Sequence, residues 1–114
     1  MRTKTPNLLA DILDAGGFIL DCTRGKTLED YQHDRQIREA VERNFEVIGE
    51  AVNRLARIDP SVADRISDTS RIIAFRNVLI HGYDLIDDKD VWQVITGSFP
   101  KLIAETQALL PTSE

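Results

Sequence analysis

The sequence predicts an all-α fold: an antiparallel bundle of four main helices in one domain spanning residues 1–114. Three observations carry that prediction. Apolar residues recur at three- and four-residue intervals along most of the chain, as on one face of a helix. No segment sustains the apolar–polar alternation of a half-buried strand. Gly and Pro are few, six and four, and most stand where helices should start, stop or bend.

The first helix is expected to begin at Thr5-Pro6, read as an N-cap followed by proline in the first helical position. Leu8, Leu9, Ile12, Leu13, Ile19 and Leu20 then supply its apolar side, and Arg24-Gly25 a stop, because glycine readily takes the left-handed conformation after a helix. Thr27 with Glu29 and Asp30 offers a new cap, leading through a short turn or helix into a long one over about residues 34 to 58. There Val41, Phe45, Ile48, Val52 and Leu55 step by four, three, four and three, a bundle seam broadened by Ala40, Ala51 and Ala56.

Asp59-Pro60 interrupts that pattern, and residues 60 to 69 read as a polar turn or short helix. Asp68 or Thr69 is expected to cap a third main helix ending near Gly82. It is apolar nearly all round, so it is expected to be central and buried. The last helix is read from Asp87, Asp88 and Asp90 through Val91, Trp92, Ile95, Phe99, Leu102 and Ile103 to Leu110, bent at Pro100.

The opening MRTKTPN runs straight into an amphipathic pattern, so no signal peptide is expected, and no apolar run reaches the length of a membrane span. Cys22 is the sole cysteine and fits a small packing residue in a reducing, cytoplasmic setting better than a nucleophile. A formal charge of -5 argues against a general nucleic-acid coat protein, yet ten of the 14 basic residues are arginine, the side chain best shaped to grip phosphate. A locally basic cleft involving Arg43, Arg71 or Arg76 is therefore compatible with the acidic whole.

The segment RNVLIHGY, residues 76 to 83, breaks the bland pattern. Arg76 projects into the apolar sector of its helix, near Ile72, while Asn77 and His81 share the polar sector four residues apart. A buried guanidinium must be paired or must open to a cleft or interface. Two readings remain open at this point: a structural ion pair with Glu46 or Glu50, or an anion site in which Arg76 holds a phosphate for His81. Arg76 and His81 lie about 140° apart around the axis, so one copy presents them awkwardly to one small target. Two copies about a two-fold axis would bring two Arg and two His to a single cleft, which predicts a homodimer.

Arg76, Asn77, His81, Gly82 and Tyr83 match the R-x4-H-x-Y signature of the HepT-like proteins in the HEPN superfamily. The segment AVERNFEVIGEA at 40 to 51 resembles the family's long second helix, and Leu85-Ile86-Asp87 with Val91-Trp92 resembles its stretch after the motif. That resemblance implies a four- to five-helix HEPN-like bundle and a homodimer with the motif in an inter-subunit cleft. It also implies metal-independent endoribonuclease activity on RNA and a bacterial or archaeal toxin role beside an MNT-type nucleotidyltransferase antitoxin. That partner, with ATP as AMP donor, would adenylylate Tyr83; no intrinsic cofactor is expected.

The residue types suit this chemistry. A histidine with an unperturbed pKa near 6.5 can act as base toward a 2′-hydroxyl or as acid toward the leaving oxygen. Arg76 can hold the phosphate, Asn77 can orient His81 or the phosphate, and Tyr83 can stack on a base. The alternative function is a non-catalytic, nucleotide- or partner-binding helical dimer in which the motif serves docking and modification. Other signals are discounted. RGKT at 24 to 27 lacks the strand and first glycine of a phosphate loop, and Asp87, Asp88 and Asp90 read as a helix start rather than a metal site. His33 is expected on a solvated turn, and Trp92 in packing.

Overall fold

The computed structural model describes residues 4–81 and 86–110, and every regular element among them is a helix. Five have nine residues or more: α1 (Lys4–Thr23), α3 (Arg35–Ile58), α5 (Thr69–His81), α6 (Asp88–Thr96) and α7 (Ser98–Leu109). Two short ones, α2 (Leu28–Gln32) and α4 (Pro60–Ala63), turn the chain between them. The expected all-α bundle is the observed architecture.

Helix α3 is the central member, with α1 packed along it most extensively and α5 next. The predicted seam is buried as read: Val41, Ile48, Val52 and Leu55 are fully enclosed, and Phe45 nearly so. Facing it, α1 contributes Leu8, Leu9, Ile12, Ala15 and Ile19. At Gly16, α7 comes so close that a Cβ would run into Ile103 and stand 3.2 Å from the Phe99 ring. Phe45 anchors the centre, edge-on to Phe75 of α5 at 5.2 Å and to Phe99 of α7 at 5.1 Å, the geometry that aromatic quadrupoles favour.

The local signals account for most boundaries. Gly25 takes a φ of +75° just after α1. Thr27 and Asp30 form a reciprocal capping box at α2, and the side chains of Asp34 and Asp87 accept from Ile37 N–H and Lys89 N–H to cap α3 and α6. His33 is exposed at the end of α2, and Trp92 packs against the wholly buried Tyr31 at 5.3 Å. Burial pushes the Cys22 thiol above its ordinary pKa, which suits a packing residue rather than a nucleophile.

Three expectations need correcting. Thr5 does not cap α1 but lies within it, because its hydroxyl is taken by a buried bond to Asp59 Oδ2 at 2.8 Å that ties α1 to the end of α3. The last helix is not one bent at Pro100. It breaks at Gly97, and Pro100 sits in the first turn of α7, where a missing N–H costs nothing. Finally, α5 is not central: of its residues only Leu79 is buried, while Val78 and Ile80 are each 41% exposed. Its one large described neighbour is α3, so an all-round apolar helix has a covered side and an open one. Asp68, just before it, adopts a φ of +62°, and its carbonyl accepts from Ile72 N–H.

Candidate active site

Arg76 stands on α5 where that helix passes close against α3. The approach is possible because residue 49 of α3 is glycine: a Cβ there would collide with Cβ and Cγ of Arg76. Glycine inside a long helix costs about 1 kcal/mol against alanine, so the helix gives up propensity to admit the arginine stem. Gly49 is the residue of this candidate site that the sequence pattern did not single out. Its signal was available, since an isolated glycine inside a strong helical pattern usually has a packing reason.

The guanidinium reaches past Gly49 to the next residue. Its Nη1 donates to Glu50 Oε1 at 3.3 Å, with the Arg76 side chain 18% exposed and Glu50 48% exposed. Of the two acids considered, Glu50 is therefore the partner. Glu46 instead pairs with Arg43 at 3.4 Å on its own helix. Glu50 is shared, because its other oxygen takes Arg54 Nε at 3.4 Å. Meanwhile Arg76 Nε is buried with no hydrogen-bond partner among the described residues. A structural ion pair would satisfy its donors in a fork. Here one long, shared bond holds the arginine, and its charge is only partly compensated.

Arg76 opens into a groove between α1, α3 and α5, lined also by Arg43, Glu46, Glu50, Arg54 and Ile80. Of the three arginines expected to make a basic cleft, Arg43 and Arg76 meet here. Arg71 does not. It faces a separate cavity beside Phe45, Phe75 and Phe99 and pairs with Asp68 at 4.0 Å. Asn77 and His81 do not line the Arg76 groove, and His81 is exposed. The angular separation expected from the helical wheel is thus present: a single copy does not converge Arg76 and His81. Tyr83 and Gly82 lie outside the described residues.

An all-helical bundle with arginine and histidine five residues apart on one helix fits a HEPN-like domain. More narrowly, the chain belongs to the HepT-like family, whose model, described as "Ribonuclease HepT-like", matches residues 12–109. Among similar proteins is "Putative RNase TTE0752" of Caldanaerobacter subterraneus subsp. tengcongensis, 28% identical over 110 residues, covering 96% of each chain. "Putative RNase MJ0127" of Methanocaldococcus jannaschii is 30% identical over 111 residues, 93% of this chain and 87% of its own. "Probable ribonuclease HepT" of Thermococcus cleftensis is 29% identical over 113 residues, 96% and 98% of the two chains. No solved structure matches the chain. None of the described helices is long and apolar enough to cross a membrane.

Proposed function

We propose that this chain is a metal-independent endoribonuclease acting on RNA through Arg76 and His81, as the toxin of a HEPN/MNT pair. The observation that carries the reading is the state of Arg76. Four-fifths of the side chain is covered and lodged over Gly49, yet it is incompletely satisfied and open to a groove. Membership of a family described as ribonucleases and the names of its relatives support it.

In this mechanism His81 removes the proton of a 2′-hydroxyl, and the freed oxygen attacks the adjacent phosphorus. The bond to the 5′-oxygen breaks, leaving a 2′,3′-cyclic phosphate. A second, protonated imidazole gives its proton to the departing oxygen. Arg76 holds a non-bridging phosphate oxygen and stabilises the charge that develops on it. One chain supplies one such imidazole, so the proposal includes a homodimer in which two copies of α5 face each other. The exposed Val78 and Ile80 supply apolar surface for that interface. Asn77 orients His81 or the phosphate. An MNT-type partner would silence the site by transferring AMP from ATP to the Tyr83 oxygen, releasing pyrophosphate and placing negative charge beside the cleft.

The test is cleavage of RNA by the purified, unmodified protein in EDTA, beside Arg76→Ala and His81→Ala proteins. Cleavage by the wild type alone, with cyclic phosphate ends, is expected; an intact RNA panel with all three would refute the catalytic reading. Melting temperatures separate the structural reading of Arg76. A buried partner left alone would cost about 3–5 kcal/mol. Glu50 is half-exposed and keeps Arg54, so the loss of the ion pair should cost under about 1 kcal/mol.

A further inference from the structure

The groove at Arg76 does not end there. A second depression, lined by Lys4, Asn7, Arg54 and Arg57, shares Leu8, Asp11 and Arg54 with it, so the two form one trough beside the α1–α3 seam. On α3 its charged residues are Arg43, Glu46, Glu50, Arg54 and Arg57, spaced by three and four and so turned to one side of the helix. From Arg43 to Arg57 the helix rises about 21 Å, the length of several nucleotides.

The charge in this trough opposes that of the whole. Lys4, Arg43, Arg54, Arg57 and Arg76 face Asp11, Glu46 and Glu50, which leaves two positive charges in excess on a chain whose formal net charge is -5. Asp11 lines both depressions, but the two glutamates stand at one end and are engaged there: Glu46 is paired with Arg43, and Glu50 is shared by Arg54 and Arg76. At the other end Lys4 and Arg57 are exposed and have no ion pair with any described residue. A row of cations along the trough, two of them unpaired, leading to an arginine that already has an unmet donor, suits a polyanion with repeated charges better than a single small anion.

We propose that this trough is the track on which single-stranded RNA lies, with Lys4, Arg54 and Arg57 binding phosphates on one side of the scissile one at Arg76. This rests on the ribonuclease reading above. The strand is single because 2′-hydroxyl attack needs the oxygen in line with the departing 5′-oxygen, which stacked duplex geometry prevents. The track reads charge and not sequence, because phosphate contacts position a strand without identifying its bases. Glu50 keeps Arg54 and Arg76 in place until phosphates displace it.

The test is binding of a fluorescently labelled 12-nucleotide RNA to the His81→Ala protein, followed by anisotropy over a range of salt. The same background then carries Lys4→Gln with Arg57→Gln, and separately Lys26→Gln with Lys89→Gln, cations outside the trough. The trough pair is expected to weaken binding about tenfold or more, and to flatten the plot of log affinity against log salt by about 0.7 for each phosphate no longer neutralised. The other pair should leave that slope near its starting value. A trough pair with the starting slope, in a protein whose His81-bearing form cleaves RNA, overturns the track and leaves the ribonuclease reading standing. Failure of the His81-bearing form to cleave or bind RNA removes both readings. If the trough pair keeps its RNA slope but loses binding to the nucleotidyltransferase, the trough is a protein interface and the RNA track is wrong. All four cations are exposed, so melting curves should coincide and loss of fold cannot imitate the result.

Discussion

Helices α1 and α5 both pack on α3 and both are rich in apolar residues, yet they are used differently. Eight residues of α1 are buried, including Leu9, Ile12 and Ile19, and its acids keep to the other side. On α5 only Leu79 is buried, and Val78 and Ile80 stay open on a helix that also carries Arg76 and His81. The difference lies in the arrangement of apolar residues, not their number. A helix with one apolar stripe is finished by one neighbour, whereas a helix apolar all round needs two. Helix α5 has α3 on one side and leaves Val78 and Ile80 open on its other side, the side that the proposed homodimer would cover. Apolar content therefore predicts a demand for burial, and only the packing shows whether one chain meets it.

The comparison can be broken most directly through the motif. His81→Ala should slow RNA cleavage by about 10²–10⁴-fold. Its melting temperature should match the wild type, because His81 is exposed and ends its helix. Next in size, Ile48→Ala on the covered seam should cost about 2–5 kcal/mol in denaturant titrations. The corresponding Ile80→Ala should cost under about 1 kcal/mol in dilute protein. A cost for Ile80→Ala that grows with protein concentration would sharpen the contrast, since it would mark the open side of α5 as covered by a partner copy.

At the junction between α3 and α5, Gly49→Ala should cost about 1–3 kcal/mol by overpacking against the Arg76 stem. It should also reduce cleavage by displacing the guanidinium. The smallest effect concerns the entry to α5. Glu105 of α7 accepts from the Ser67 hydroxyl at 2.7 Å and the Ser67 N–H at 2.9 Å, which holds its pKa below the ordinary carboxylate value. A lowered pKa means this stabilisation is present above the unfolded value near 4.3 and is lost as pH falls through the folded one. Glu105→Gln should therefore be less stable than wild type at pH 7 by a small margin, discounted for its exposure. The gap should close as the pH is lowered below about 4.

Much of this was legible in the chain. The steps from Val41 to Leu55, the cap at Thr27, the acidic helix start at Asp87 and the stop at Gly25 depend on residues within about four positions of one another, and each appears as read. Where reasoning from pattern failed, a distant residue or a tight turn had intervened. Thr5 bonds to Asp59, 54 positions away, and is thereby unavailable as a cap. Gly97 and not Pro100 divides the last segment. Proline is tolerated in a first turn, and at Gly97 the chain folds so tightly that a Cβ would stand 2.8 Å from the Gln93 carbonyl oxygen.

The same division holds at the site. The sequence by itself determined an all-helical chain, its central seam and a motif with arginine and histidine on different sides of one helix, because these follow from helical periodicity and side-chain chemistry. Only the tertiary structure decided that Arg76 reaches Glu50 and not Glu46, that Gly49 makes room for it, and that one side of α5 is left open. It also decided that Lys4 of α1 joins Arg54 and Arg57 of α3 in one trough. Each of these depends on which helix lies against which, a choice made by total burial across the domain and not by any local pattern.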